Sequence, residues 1–580
     1  EGSIDLAADN GLVAGQSFDS LKGKAVFAGT QIDVQNVEMN IGAGRLTAVG
    51  KYDRGSKDFD ANIKGKDIPV PLILAFLPPN DSIPAISGNA DLTLVASGNA
   101  DRFSTVNVTG NGTATDVVVG ESSIGNVNFD AKTAGGILTA NLTADFSGHP
   151  QSLNATLDLA NDDLPLTAST EFRDNPLEPF LAFIPKLRDF GITGTARGRI
   201  DFGGNLNSIR ADGTRAITVE NLSGTARFDA LSLQIQDTPL NAAEPIVAKL
   251  SAAAITFESA HFTGAGSDIR ITGTKAISDT VENRLAVEGK MNLALLNLAT
   301  KDLFFAGNAD VSVRLVGLNP QANLTGSVAT ENAAFAAFVG NDRLTFSRVK
   351  TRILFTSDQA EIEQASGYLG GGKFTAAGGA LLDGLSIRNF RATLNGENVT
   401  VPFPEDFLTT GDARLEIIGI RRSATDPLQT TISGRVFASR SLYTKDIDLA
   451  NVVGARRARA LSAGTSSMTA PRFDLVIEGR NALVVRNNIA DLTASVSLTL
   501  TGDADNPILY GRIVANGGTL LYRRDRYEIQ RGVLEFPPDT FIDPVVNLQA
   551  ETEINGYQIF VSLNGPLNDT EQVTASVRSS

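Results

Sequence analysis

The two histidines, His149 and His261, are the side chains of this chain best suited to acid–base catalysis or metal binding at neutral pH. Both occur near turns or strand ends of the predicted pattern. The chain has no cysteine, so a Cys–His metal site, a disulfide and a thiol nucleophile are excluded. No G-x-S-x-G or H-E-x-x-H motif is present either. We therefore predict that both histidines are surface residues.

Two short segments superficially resemble ligand-binding loops. Gly370-Gly-Gly-Lys373 lacks the first glycine of a phosphate-binding loop and the Ser or Thr that follows its lysine. Asp503-Ala-Asp505-Asn506-Pro507 lacks the distal glutamate of a calcium loop. Both segments are predicted to be turns. The sequence thus predicts no catalytic residues, no metal and no cofactor, and the protein is not expected to be an enzyme.

Composition narrows the classes of partner. The formal charge of −15 and the isoelectric point of about 4.8 argue against nucleic acid as a partner, because nucleic-acid binding requires a basic stripe. The same charge disfavours electrostatic attachment along an anionic membrane. No run of 18 apolar residues occurs, so no membrane-spanning helix is predicted.

A short phrase returns about every hundred residues. It is Ile86-Ser-Gly-Asn-Ala-Asp-Leu-Thr-Leu, Ile192-Thr-Gly-Thr-Ala-Arg-Gly-Arg-Ile, Phe305-Ala-Gly-Asn-Ala-Asp-Val-Ser-Val and Thr409-Thr-Gly-Asp-Ala-Arg-Leu-Glu-Ile. Its glycines, Gly88, Gly194, Gly307 and Gly411, are 106, 113 and 104 residues apart. Such repetition indicates a fold that grows along one axis.

An apolar stretch precedes each phrase, at 71–77, 179–184, 293–298 and, more weakly, 403–408. Each stretch is predicted to be a short helix or loop that plugs the sheet; the alternative is an element that dips into a membrane.

The repeat divides the chain into predicted segments. These are a partial repeat at 1–85, β repeats at 86–191, 192–304, 305–408 and 409–501, and a C-terminal domain at 502–580. Within the fifth segment, 450–471 lacks strand alternation and is predicted to be a long exposed loop. The pattern is already under way at Glu1 and stops abruptly at Ser580, so we interpret the chain as a fragment whose membrane anchor lies outside it.

Apolar and polar residues alternate with a period of two through most of the chain, which is typical of strands with one apolar face. Small flexible pairs between the runs predict tight turns, at Asn10-Gly11, Gly135-Gly136, Asp383-Gly384, Asn395-Gly396, Asn516-Gly517 and Asn555-Gly556 among others. The predicted fold is all-β: an elongated, curled, repetitive antiparallel sheet, either an open groove or a β-solenoid, with a few short helices.

The apolar side of such a sheet must be covered. A closed solenoid buries it internally, whereas an open trough exposes more apolar area than soluble monomers tolerate and therefore implies an apolar ligand. Lipid acyl chains suit a trough, since each buried methylene contributes about 0.8 kcal/mol without any specific polar contact. Strand phase predicts these lining residues: Leu138, Leu142, Phe146, Leu153, Leu157, Leu231, Leu233, Ile235, Val311, Val313, Leu315, Val496, Leu498, Leu500, Ile559, Val561 and Leu563.

The end of the chain resembles a known family. The segments concerned are Gly502-Asp-Ala-Asp-Asn-Pro-Ile-Leu-Tyr-Gly-Arg-Ile, Asn516-Gly-Gly-Thr-Leu-Leu-Tyr522, Tyr527-Glu-Ile-Gln-Arg-Gly-Val-Leu-Glu-Phe536, Pro544-Val-Val-Asn-Leu-Gln-Ala550 and Tyr557-Gln-Ile-Phe-Val-Ser-Leu-Asn-Gly565. In order and spacing they are similar to the C-terminal domain of the TamB family. The upstream repeats resemble the wider AsmA-like group, to which TamB belongs.

The resemblance implies a Gram-negative periplasmic protein that is anchored in the inner membrane in its full-length form. It implies a curled β-sheet with a hydrophobic groove that moves phospholipids between inner and outer membrane and supports outer-membrane biogenesis. It also implies an outer-membrane partner of the Omp85 type, similar to TamA. An alternative is a scaffold for assembly or secretion of outer-membrane β-barrel or autotransporter proteins. A closed β-solenoid adhesin is a further alternative. The chain stops before the segment that usually closes the family's C-terminus, so docking to that partner is not expected of this piece alone.

Overall fold

A computed structural model describes most of the chain in two compact units, residues 1–287 and 288–580. The described residues are 1–13, 16–75, 85–146, 148–181, 191–209, 215–217, 221–298, 303–339, 342–402, 406–423, 426–446, 470–503, 506–522, 525–538, 544–566 and 572–579.

Unit 1 consists of strands and two short helices, α1 (Val70–Leu74) and α2 (Glu178–Leu181). The strands are β1 (Gly2–Val13), β2 (Gln16–Ala28), β3 (Gln31–Ile41), β4 (Gly44–Asp53), β5 (Asp58–Pro69), β6 (Ile86–Asn99), β7 (Arg102–Val119), β8 (Ser122–Ala134), β9 (Ile137–Phe146), β10 (His149–Asp158), β11 (Pro165–Pro176), β12 (Ile192–Asn205), β13 (Asn207–Ile209), β14 (Arg215–Ile217), β15 (Ser223–Ile235), β16 (Thr238–Ala242), β17 (Ile246–Ser251), β18 (Ala254–Gly264), β19 (Ser267–Ala276) and the first part of β20 (Glu282–Asn292).

Unit 2 begins within β20 and contains one 3-10 helix, Leu293–Leu298. Its other strands are β21 (Leu303–Ala306), β22 (Asn308–Leu318), β23 (Asn323–Val339), β24 (Asp342–Thr356), β25 (Gln359–Leu369), β26 (Gly372–Asp383), β27 (Ser386–Val401), β28 (Phe407–Ile420), β29 (Gln429–Tyr443), β30 (Arg472–Arg486), β31 (Ala490–Asp503), β32 (Pro507–Tyr522), β33 (Asp525–Phe536), β34 (Val545–Ile554), β35 (Tyr557–Pro566) and β36 (Thr574–Ser579).

Most strands that follow one another in sequence pair antiparallel in each unit. In unit 1 the small hairpin β13–β14 stands aside from this ladder, so that β12 pairs with β15. In unit 2, β29 and β30 are paired parallel, with Thr431 opposite Arg472 and Tyr443 opposite Val485. Apart from β19–β20 and β20–β22, the other pairings between described strands are antiparallel. The prediction of an all-β chain built on a repetitive antiparallel sheet with a few short helices is confirmed.

The turn predictions are only partly correct. Gly135-Gly136, Asp383-Gly384 and Asn555-Gly556 do lie in or at tight turns. The pairs beginning at Asn10, Asn395 and Asn516 instead lie inside β1, β27 and β32, so these three predictions were wrong. At Asn10 the backbone has φ of 57°, which marks a local irregularity within a continuing strand and not a chain reversal.

The predicted plugging segments are largely confirmed as helices. Stretch 71–77 contains most of α1, and stretch 293–298 coincides with the 3-10 helix. Stretch 179–184 overlaps α2, and its residues 182–184 lie outside the described part of the chain. The weakest stretch, 403–408, differs: 403–405 lie outside the described residues, and Phe407 already begins β28. Residues 450–469 of the predicted loop also fall outside the described ranges.

The repeat-phrase glycines have a shared packing reason. A Cβ added at Gly88, Gly194, Gly307 or Gly411 would lie 2.1–2.9 Å from a carbonyl oxygen of the adjacent strand. Two of these glycines also accept a hydrogen bond from the beginning of a helical segment. The carbonyl of Gly194 accepts the Leu177 N–H at 2.9 Å, and the carbonyl of Gly307 accepts the Leu293 N–H at 2.8 Å. The recurrence of the phrase therefore reflects a repeated junction between a plugging helix and the strand after it.

Replacing Gly194 with alanine should destabilise unit 1 by about 2–3 kcal/mol. The residue has φ of +155°, and a new Cβ would lie 2.1 Å from the Ser232 carbonyl oxygen. Urea unfolding monitored by circular dichroism measures the loss. Gly379→Ala is the control, since its Cβ would meet a backbone oxygen at an ordinary 3.5 Å. Equal stability of the two variants would contradict the packing role given to Gly194.

Candidate functional site

Each unit carries one extended apolar face, which the strand register makes continuous. Directly paired residues of neighbouring strands project to the same face of a sheet. In unit 1 one row of such pairs runs from β1 to β19 and contains a single polar residue, Thr170. Its members are Ala8, Leu21, Met39, Leu46, Gly65, Leu92, Gly112, Phe129, Leu142, Leu153, Thr170, Ile200, Ala226, Ala248, Phe257 and Gly273.

Unit 2 has the same construction. A row from β22 to β31 contains only apolar residues and glycine: Val311, Val328, Ile353, Ile362, Gly378, Ala392, Ile417, Ile432, Phe473 and Gly502. The row passes through the parallel pair without interruption, because Ile432 on β29 faces Phe473 on β30. We call these surfaces the apolar face of each unit.

The predicted lining residues fall on these faces. Val311, Leu315 and Leu500 are buried and Leu142 is 38% exposed. The side chain of Phe146 lies outside the described part of the structure. The remaining twelve residues are half-buried: Leu138, Leu153, Leu157, Leu231, Leu233, Ile235, Val313, Val496, Leu498, Ile559, Val561 and Leu563. All the described residues except Ile559 pair directly with at least one apolar residue or glycine. Their assignment as a lipid path stays a prediction.

The short helices cover part of each apolar face. Leu72 of α1 is 3% exposed and packs with Phe18, Met39 and Ile68, and α2 places Phe180 against Phe172. In unit 2, Leu293 of the 3-10 helix joins a buried cluster with Ala309, Ala333, Phe346 and Phe374. The described helices thus bury one portion of the face, which includes Leu231 and Leu233 beside α2. Half-buried residues that join none of these clusters, such as Leu138 and Leu498, form the portion that the described helices leave uncovered.

The opposite face of each sheet carries the charge. Many ion pairs among the described residues lie there, for example Lys249 with Glu258 at 3.1 Å and Lys350 with Glu331 at 2.7 Å. In every such pair the carboxylate side chain is at least 29% exposed. Exposed pairs of this kind contribute little to stability. They keep the outer face soluble and leave the apolar face free of carboxylates along the two rows above.

The shifted pKa values also belong to turns and the outer face. The pKa of Asp53 is lowered chiefly by the Gly55 N–H, which donates to its carboxylate within the β4–β5 turn. The pKa of Asp58 is lowered chiefly by the side-chain amide of Asn99. The pKa of Arg197 is raised by its hydrogen bond with Asp174. All three shifts are explained by local structural contacts.

The residues first considered for chemistry do not form a site. His149 is exposed, as predicted, in the β9–β10 turn. The prediction for His261 was wrong: its side chain is 12% exposed, because it lies between Asp268, 2.7 Å from Nε2, and Glu244, 3.6 Å from Nδ1. Gly370 and Gly371 form the predicted β25–β26 turn. Among the described residues, no group of three or more His, Asp or Glu side chains is placed to hold a metal ion.

Strand alternation did not identify the polar residues within the apolar face. Gln151 on β10 and Thr170 on β11 project from this face, and Gln151 is 6% exposed. Lys275 on β19 is opposite Ile255 in an otherwise apolar row, and its Nζ donates to the Ala276 carbonyl and to Asn283 Oδ1. In the sequence, these residues are marked only by being polar at positions that strand alternation assigns to the apolar face.

Comparison with known proteins supports one family. Residues 363–576 match the model of the TamB C-terminal domain, a match that begins well upstream of the segments beginning at Gly502. No curated protein and no solved structure matches the chain significantly. Within the described residues, no helix has both the length and the apolar character to cross a membrane.

The match covers β26 to β35 completely, together with most of β25 and the beginning of β36. It thus includes the parallel pair and much of the apolar face of unit 2. The chain therefore contains, over residues 363–576, a segment that is similar to the TamB C-terminal domain.

Proposed function

We propose that this chain is part of a periplasmic bridge whose apolar faces conduct phospholipids between the inner and outer membranes, without catalysis. The observation that carries the proposal is the unbroken register of apolar residues across each unit. A protein that needed only a folded core would not require each strand to continue the same apolar row from its neighbour.

The partial cover of these faces supports a path for acyl chains. Under the helices, residues such as Ile68 and Leu72 are 0% and 3% exposed. Beyond them, Leu138, Leu157 and Leu498 remain half-buried, and none of the three belongs to a cluster that a described helix joins. An acyl chain on the uncovered portion gains about 0.8 kcal/mol for each methylene removed from water. Because this gain is non-directional, a lipid can move along the face without breaking specific bonds.

The partners and location follow from the same proposal. The outer-membrane partner is a barrel of the Omp85 type, similar to TamA, and the inner membrane is reached through an anchor elsewhere in the full-length protein. Lipid movement in this arrangement supports outer-membrane biogenesis.

Native mass spectrometry of the purified chain, followed by lipid extraction, tests the proposal. We expect several phospholipids per chain, together with protection of apolar-face residues from a hydrophobic probe. The competing scaffold function predicts no lipid, and it predicts that a strand peptide slows amide exchange at a sheet edge. A closed solenoid predicts neither bound lipid nor slower amide exchange with a strand peptide. A folded, lipid-free chain that also fails to move lipid between vesicles would overturn the conduit.

A further inference from the structure

A row of small residues crosses four consecutive strands of the apolar face of unit 1. Its members are directly paired: Ala131 on β8, Ala140 on β9, Ala155 on β10 and Ala168 on β11. We call this the alanine row. The flanking rows carry larger side chains: Phe129, Leu142, Leu153 and Thr170 on one side, and Thr133, Leu138, Leu157 and Leu166 on the other.

These rows shape a channel that runs across the strands. Leu138 and Leu142 are four residues apart on β9, which corresponds to about 13 Å between the two walls. The floor between them consists of alanine methyl groups on four strands spaced about 4.8 Å apart. Ala131, Ala140 and Ala155 are half-buried, and Ala168, at the β11 end of the row, is 7% exposed. The channel therefore has the width of an extended hydrocarbon chain between flanking leucines, and its direction is that of the proposed lipid path.

A buried polar group lies behind one wall of the channel, in the row next to Leu142 and Leu153 on the side away from the alanine row. Gln151 is 6% exposed, and its Nε2 donates to Thr170 Oγ1, which lies in the wall row directly opposite Leu153. The Thr170 hydroxyl in turn donates to the Ser152 carbonyl at 2.8 Å. Because that hydroxyl proton is engaged, Thr170 must accept from Gln151, and this fixes which end of the carboxamide is the oxygen.

The carboxamide oxygen, Gln151 Oε1, is buried and has no hydrogen-bond partner among the described residues. A buried acceptor without a donor is destabilising, so it favours a ligand that brings a donor. The site thus combines an apolar channel of one-chain width with a fixed acceptor at its wall. The apolar channel suits the hydrocarbon chain of an amphiphile, and the acceptor suits its polar head.

We propose that β8–β11 form a phospholipid seat in which an acyl chain occupies the alanine row and an N–H or O–H of the lipid head donates to Gln151 Oε1. This inference rests on the proposed lipid conduit. It adds that the conduit prefers certain lipid head groups. Heads with donors, such as ethanolamine and glycerol, are favoured over choline, which has neither N–H nor O–H. The seat would be a resting point on a path that is otherwise indifferent to the head.

The chain contains no tryptophan, so Leu142→Trp supplies a unique fluorophore in the channel wall. Vesicles that differ only in the head of a bromine-labelled phospholipid are titrated against this variant, because bromine on the acyl chain quenches tryptophan on contact. We expect half-maximal quenching at about tenfold lower concentration for ethanolamine and glycerol heads than for choline. Gln151→Met should remove this preference.

Ala155→Leu should reduce quenching by all three lipids at least fivefold, because leucine fills the channel floor. The matched control is Thr156→Leu, at an exposed position on the outer face of the same strand. Circular dichroism confirms that each variant is folded. The three lipid head groups are compared on the same Leu142→Trp protein, so that comparison does not depend on the folding of a second variant. Equal quenching by all three heads would overturn the preference, and normal quenching in Ala155→Leu would overturn the channel. Absence of any bound lipid in native mass spectrometry would instead reject the conduit itself.

Discussion

Replacing Leu498 with arginine should lower lipid transfer between vesicles by an order of magnitude or more. Leu498 lies on the apolar face of unit 2, half-buried between Ile477 on β30 and Gly511 on β32. A guanidinium in a hydrocarbon environment costs about 2.5–3.5 kcal/mol, which corresponds to roughly a hundredfold lower local lipid occupancy. Transfer of a fluorescent phospholipid from donor to acceptor vesicles measures the effect.

The neighbouring residue provides a matched control. Ser497 is exposed on the outer face of the same strand and is opposite Glu478 and Arg512. Ser497→Arg adds the same charge at nearly the same position along the chain, but it leaves the apolar face unchanged. We expect wild-type transfer from this control. Wild-type transfer by a folded Leu498→Arg protein would show that lipid does not pass over this face.

Phe172→Ala should destabilise unit 1 by about 3–5 kcal/mol, the largest effect on stability that we expect from one side chain. Phe172 is 3% exposed, and its ring meets Phe180 of α2 edge-to-face with centroids 4.8 Å apart. It also meets Phe228 on β15 at 5.9 Å across Gly198. Its loss leaves a cavity between the sheet and the helix that plugs it.

Urea unfolding and amide exchange over residues 165–181 measure this loss. Phe103→Ala is the matched control, because that phenylalanine is 50% exposed on β7 and its removal should cost less than 1 kcal/mol. If both variants unfold at the same urea concentration, Phe172 does not secure α2. Faster exchange confined to α2 and β11 in Phe172→Ala would locate the damage as expected.

Period-two alternation was sufficient to predict the strands and the apolar face. In runs such as the one at Leu492–Leu500 every second residue is apolar, and in a strand these residues all project to the same face. The short helices could also be predicted from the sequence, because prolines flank α1 and an apolar stretch recurs before each repeat phrase. The similarity to the TamB C-terminal domain, which the match over residues 363–576 confirms, was also visible in the order of the C-terminal segments.

Other features depend on long-range pairing that a local pattern does not contain. Asn395 and Asn516 resemble turn residues, but the neighbouring strands continue to pair on both sides of them and keep the chain extended. Gln151 became notable only when the register placed it beside Thr170 on the apolar face. His261 was expected on the surface, yet the pairing of β18 with β19 brings Asp268 against its ring.

The parallel pair β29–β30 has a consequence for the order in which unit 2 folds. Antiparallel neighbours joined by tight turns form from local contacts and therefore assemble quickly. At this one seam among the described pairings, Tyr443 and Arg472 are separated by 28 residues, and the partner strands cannot close as a hairpin. Two ladders, β22–β29 and β30–β36, can then form independently and join by edge pairing. Until they join, each ladder exposes an open strand edge, which is the state of the chain most prone to misassembly.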